Sequence, residues 1–329
     1  MKRKANFDGS RKKINLRILE TEQLNLASAD FDCRSPLEIA RIINAEDAKV
    51  AAAVRRSLPQ IAQAMSWIAD ALSSGGRLIY VGTGTSGRIA ALDAAECPPT
   101  FNTDPKMVQF IIAGGPKALA EAVEAAEDSR RLGREAMAKK KPRRNDVVVG
   151  VAASGRTPFT VAAIEYARSQ GAKTVAVACN RNSELERAAH IGIVAEVGPE
   201  VVAGSTRMKA GTAQKMILNM LTTGAMTRLG YVYGNLMVNL HLKNEKLAER
   251  GISILEEAAG LTRAAASKLL KSARHSVPVA LVMAKTGVRR AQAVVALKQA
   301  KGHVRRAIDA AARQKKENES GKEQGIKRL

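Results

Sequence analysis

Residues 77–96 read RLIYVGTGTSGRIAALDAAE: a short apolar run, a turn of glycines and hydroxyls, then an alanine-rich stretch. Such a run ending in glycine predicts a fully buried strand, and the segment after the turn predicts a helix. The unit recurs. MVQFIIAGG at 107–115 leads into a predicted helix over 116–131, PKALAEAVEAAEDSRR. DVVVGVA at 146–152 leads through ASGRTP into FTVAAIEYARSQG, and KTVAVACN at 173–180 and HIGIVAEV at 190–197 complete five candidate strands. Buried strands alternating with helices predict an α/β fold, a parallel sheet with helices on both faces.

Outward from this unit the texture is helical. Upstream, Ile39, Ile42 and Ile43, then Ile61, Met65, Ile68 and Leu72, recur at steps of three and four, which predicts helices over 37–74 with Trp67 at the edge of their apolar face. Downstream of Ser205 one long helix is expected, and beyond Asn244 short helices divided by glycines. The expected organisation is a flexible basic arm over 1–17 and an α/β domain with its N-terminal helices over 18–243. A small all-helical C-terminal domain over 244–312 and a disordered charged tail over 313–329 follow.

A composition of 46% hydrophobic and 26% charged residues over 329 positions excludes wholesale disorder. Three cysteines, Cys33, Cys97 and Cys179, without a CxxC spacing argue against a disulfide scaffold or a zinc knuckle and for a reducing, cytoplasmic setting. No run of about 18 apolar residues offers a membrane span, and the basic start leads into INLRILETEQLN rather than a signal core. The net charge of +22 suggests a nucleic-acid partner until it is located. Residues 1–17 hold seven basic residues against one acid, and 260–329 hold 17 against four, whereas 18–259 hold 29 against 26. With aromatics at 3%, stacking on single strands is unsupported, so weak binding through the ends is expected and no specific nucleic-acid partner.

Gly82, Gly84 and Gly87 satisfy GxGxxG after a strand, but the second strand ends in two glycines and lacks the acid that holds a dinucleotide ribose. Neither turn carries the GKS or GKT of a Walker loop. The second turn, Ser154-Gly155-Arg156-Thr157-Pro158, also joins a strand to a helix, with Thr157 placed as a cap and Pro158 at the first helical position. Two hydroxyl-rich turns, with Thr83, Gly84, Thr85 and Ser86 in the first, therefore face helix N-termini, where free amides and the helix dipole favour an anion. A phosphate monoester is the expected ligand; ordinary capping is the alternative. Ser205 to Thr212 form a third hydroxyl-rich helix start with Arg207 and Lys209 beside it, either a further cap or a segment that closes over a ligand.

Glu96 is expected to end the helix opened by the first turn, because Pro98 and Pro99 follow. There it would suit a general acid or be a plain solvated side chain. Glu127 and Asp128 fall late in the next predicted helix beside Arg130 and Arg131, where a salt-bridged exposed face is the simple reading. The four histidines have no ligand spacing and receive no role, and no metal site is expected.

The blocks LIYVGTGTSGRIAALDAAECPPTF, GVAASGRTPF, AEDSR, GSTRMKAGTAQKMILNMLTTGAM, YGNLMVN and NEKL closely resemble the N-acetylmuramic acid 6-phosphate etherase family, from about Asn25 to about Ala307. The resemblance implies a sugar isomerase (SIS) phosphosugar-binding fold and a dimer without metal or organic cofactor. It also implies cleavage of the D-lactyl ether of N-acetylmuramic acid 6-phosphate by water during recycling of cell-wall sugars. It places the acid at Glu96 and a second catalytic carboxylate in the pair Glu127 and Asp128. Asn239 stands where the pattern carries an acid, and His241 and Lys243 are unusual before NEKL. A non-catalytic sensor like the related glucokinase regulatory protein, and a phosphosugar isomerase, are the rival readings.

Overall fold

The computed structural model describes residues 19–123, 125–240 and 245–326, with side chains as far as Lys315. The basic arm, His241 and Lys243 lie outside the described residues. Five parallel strands, β1 (Leu78–Gly82), β2 (Val108–Ile112), β3 (Val147–Val151), β4 (Lys173–Ala178) and β5 (Ile191–Val194), form one sheet in the order β2-β1-β3-β4-β5. The parallel α/β expectation holds. Side chains alternate across β1: Leu78 and Tyr80 enter one core and Ile79 and Val81 the other, all fully buried.

The first core is covered by α3 (Leu58–Ser73), α4 (Gly84–Phe101) and α8 (Lys209–Arg228), the second by α5 (Arg130–Lys140), α6 (Pro158–Ser169) and α7 (Glu184–Ala188). The upstream helical region divides into α1 (Pro36–Asp47), α2 (Val50–Arg55) and α3. Ser35 and Glu38 form a capping box at α1, and Pro59 sits in the first turn of α3. A hairpin, β6 (Val232–Tyr233) with β7 (Leu236–Met237), leads into a third core built by α9 (Glu245–Ala259), α10 (Arg263–Ser272), α11 (Val277–Thr286), α12 (Arg290–Gln299) and α13 (Val304–Ile326).

Three elements depart from expectation. Helix α4 runs through Pro98 and Pro99 to Phe101, and Asn102 ends it in the left-handed region (φ 53°), its amide donating to the Pro98 carbonyl. The two prolines withhold amide hydrogens only in the last turn, so the helix survives them and Glu96 is not terminal. Residues 116–131 do not form one helix. A single 3-10 turn, Pro116–Leu119, follows Gly114 and Gly115, both at positive φ, and α5 begins only after Ser129, whose Oγ accepts from the Leu132 amide. Glu127 and Asp128 therefore lie in a loop. At the other end, α13 continues to Ile326 because the Lys, Glu and Gln of the charged stretch are strong helix formers without needing an apolar face.

Candidate functional site

Gly82 pairs with Val151 across β1 and β3, so the turns that follow these strands leave the carboxyl edge side by side. From this point the chain crosses to β2 in one direction and to β4 in the other. Such a switch point opens the crevice in which open α/β sheets bind ligands.

The hydroxyls there are largely uncommitted. Thr83 and Thr157 occupy the N-cap positions of α4 and α6, yet neither side chain makes a capping bond. Among the described residues the hydroxyls of Thr83, Thr85 and Ser86 have no partner either, and only Ser154 is engaged, its Oγ accepting from the Arg156 amide at 3.2 Å. Ordinary capping does not explain these residues. The chain is held for close approach: Gly84 has φ +48°, and at Gly155 (φ +66°) a Cβ would stand 2.4 Å from Ser183.

Glu127 joins the two turns. Its carbonyl accepts from the Phe159 amide at 3.0 Å, inside the first turn of α6, and its Oε1 lies 3.3 Å from the point where a Cβ on Gly84 would stand. Asp128 is exposed, and the neighbouring arginines turn elsewhere, Arg130 to Glu165 and Glu184 and Arg131 to Glu135. Glu96 is exposed on α4, twelve residues beyond Gly84, about 18 Å along the helix axis. One chain brings Glu127 to the turns and does not bring Glu96. Behind Glu96, burial, then Asp93 and Glu96 itself, pushes the Cys97 thiol up to about 12, which removes it as a nucleophile.

The third helix start is already filled. Lys209 is 2% exposed and its ammonium is 2.6 Å from Glu46, while the amides of Lys209 and Ala210 donate to the Glu200 carboxylate at 3.0 and 2.9 Å. Lys209 thus serves an internal ion pair instead of reaching a ligand. Burial works against the Glu46 charge, but bonds from Lys209, Lys49 and Asn25 outweigh it and take its pKa down to about 2. Ser205 is half-buried one turn before α8. The segment still touches the site, since a Cβ on Gly211 would lie 3.6 Å from Thr85 Cγ2.

Glu46, Glu200 and Asn180 were not singled out in the sequence. Asn180 donates to the Ala153 carbonyl and to Thr21 Oγ1, fixing the second turn from behind. Glu46 had a readable signal: it continues the spacing of Ile39, Ile42 and Ile43, and an acid on an apolar helix face calls for an internal cation. Asp93, on α4, is likewise buried. It accepts from Tyr80, Asn219 and Thr222, tying β1, α4 and α8 together, and burial raises its pKa against those bonds. Asn239 donates to the Phe101 carbonyl, which anchors the hairpin to the end of α4. Among the described residues no group of three or more His, Cys, Asp or Glu could hold a metal ion, and no helix is long and apolar enough to cross a membrane.

The sheet order and the paired turns define the class: residues 60–168 match the family model of the glucokinase regulatory protein N-terminal SIS domain, and residues 134–224 match that of the SIS domain. The N-acetylmuramic acid 6-phosphate etherase of Vibrio vulnificus is 50% identical over 297 residues, spanning 90% of this chain and 99% of that protein. That of Clostridium beijerinckii is 47% identical over 295 residues, 90% and 97% of the two chains, and that of Rhodopirellula baltica 51% over 268 residues, 82% and 89%. The chain belongs to the N-acetylmuramic acid 6-phosphate etherase family.

Proposed function

We propose that the chain, in the cytoplasm, cleaves the D-lactyl ether of N-acetylmuramic acid 6-phosphate with water, giving N-acetylglucosamine 6-phosphate and D-lactate. The observation that carries this reading is the pair of turns at the switch point, with hydroxyls free of capping duty and Glu127 spanning them. The turns hold the phosphate, with Arg156 beside them, so that binding energy orients the reacting carbons. Opening of the sugar ring exposes an aldehyde at C1 and acidifies the C2 hydrogen. Glu127 removes that proton, Glu96 protonates the ether oxygen at C3, and lactate leaves. Water then adds at C3 of the resulting double bond, delivering its proton to Glu96, and C2 is reprotonated from Glu127. Release of D-lactate from the substrate, with heavy-oxygen water labelling C3 of the sugar, is expected. Stoichiometric binding without lactate would overturn the reading in favour of a phosphosugar sensor, and C2 chemistry without label at C3 would favour an isomerase.

The separation of Glu96 from the turns argues for a homodimer in which a second copy supplies Glu96. Mixing Glu96→Gln and Glu127→Gln chains, each nearly inactive, should then restore about a quarter of full activity, because half the dimers carry one intact site of two. No recovery after demonstrated subunit exchange would place both carboxylates in one chain.

A further inference from the structure

At the opposite, amino edge of the sheet a cleft of about 240 Å³ lies between the α/β domain and the helical unit. Asp70 comes from the end of α3, Arg228 from the end of α8 and Tyr231 just beyond it, Lys301 and His303 from the turn between α12 and α13, and Arg306 from the first turn of α13. The contact is tight: Gly230 has φ +84°, and a Cβ there would stand 2.4 Å from His303 Cγ. Three permanent cations meet one carboxylate, and the side chains of Arg228, Lys301 and Arg306 make no ion pair or hydrogen bond among the described residues. The Tyr231 hydroxyl is likewise without a partner there. His303 Nδ1 accepts from the Arg306 amide at 3.4 Å, so the neutral ring carries its hydrogen on Nε2 as a donor. Burial, then Arg306, keeps the His303 pKa below its ordinary value, with Arg305 adding to the effect and Asp309 opposing it.

We propose that this cleft binds a small phosphate-bearing anion, inorganic phosphate or a phosphomonoester, at a site separate from the paired turns. Arg228, Lys301 and Arg306 are exposed and uncommitted, so they can converge on an anion in the cleft, and guanidinium groups suit a tetrahedral oxyanion. The volume corresponds to about eight waters and lies below the range of pockets for larger organic ligands, about 300–1,000 Å³. It suits a phosphoryl group with a few carbons.

The test is isothermal titration of the full chain with inorganic phosphate and, separately, with glycerol 3-phosphate at low salt. Two binding events per chain are expected. Arg306→Ala and Lys301→Ala should each weaken one event at least tenfold while D-lactate release is unchanged, Arg306→Lys should restore most of the affinity, and Ser154→Ala should weaken only the other event. Whichever probe binds the cleft more tightly identifies free phosphate or the ester as the source. Lys301 and Arg306 are both exposed, so both variants are expected to fold. Unchanged phosphate stoichiometry and affinity in folded Lys301→Ala and Arg306→Ala chains would overturn the proposal.

Discussion

Three helix starts in this chain have nearly the same composition, and they meet different fates. The turns before α4 and α6 keep their hydroxyls, Ser154 apart, uncommitted at the crevice, whereas the start of α8 is closed from inside, its amides taken by Glu200 and its lysine by Glu46. Glycines, hydroxyls and a basic residue mark where an anion can bind, but they do not say whether the protein has already placed its own carboxylate there. One of the acids that decide, Glu46, comes from the distant α1, and the other, Glu200, from the loop that leads into α8.

The largest effect should separate the open starts from the closed one. Glu127→Gln removes the carboxylate that lies against the first turn and should lower turnover by about 10³-fold with little change in KM. Glu200→Gln should leave turnover near its starting value and lower the melting temperature. Steady-state D-lactate release beside thermal melts reads both; a Glu200 variant as inactive as that of Glu127 would erase the distinction.

Stability should respond next, at the closed start. Glu46→Gln strands a buried ammonium and should cost about 3–5 kcal/mol in urea unfolding, while Glu46→Leu combined with Lys209→Met should recover most of the loss. The pH dependence has a definite sign. Because the Glu46 pKa is depressed to about 2 in the folded chain, the stability it contributes is complete above the ordinary carboxylate range and is lost as pH falls through that range towards 2. Acid unfolding of Glu46→Leu with Lys209→Met should lack this component.

The fold was legible because fully buried strands leave uninterrupted apolar runs, and LIYVG, VVVGV and KTVAVA carry that mark. The crevice was legible in outline, since each glycine-rich turn follows such a run. Helix limits were less so. Pro98 and Pro99 signal a stop, yet the helix needs only its last-turn carbonyls to do without them, and the alanines and glutamates of 117–128 favour a helix that positive φ at Gly114 and Gly115 and the cap at Ser129 start elsewhere. Glu127 could not be ranked above Asp128 from the sequence, because what distinguishes them is the Phe159 amide, 32 positions away.

A smaller effect is expected from backbone geometry at the open start. Gly155→Ala forces a side chain onto φ +66° and towards Ser183, a strain of about 1–3 kcal/mol. If the turn holds the phosphate, the loss appears mainly as a raised KM for the phosphosugar. Gly211→Ala, on α8 near Thr85 but with its nearest neighbour at 3.5 Å, should leave KM nearly unchanged.

The smallest effect discriminates most finely, because it compares one hydroxyl with another. Ser154 Oγ accepts from the Arg156 amide and keeps its own hydrogen to donate outward. Its loss in Ser154→Ala should cost one neutral hydrogen bond, about 0.5–1.5 kcal/mol, or a rise in KM of roughly twofold to tenfold. Ser205→Ala stands at a start whose anion position is occupied by Glu200, and it should leave KM where it was. The paired measurement removes the ambiguity of either variant alone, since both delete the same atom from a half-buried serine near a helix N-terminus. Equal shifts in KM would mean that the α8 start also reaches the substrate, and that Glu200 moves aside when the ligand arrives.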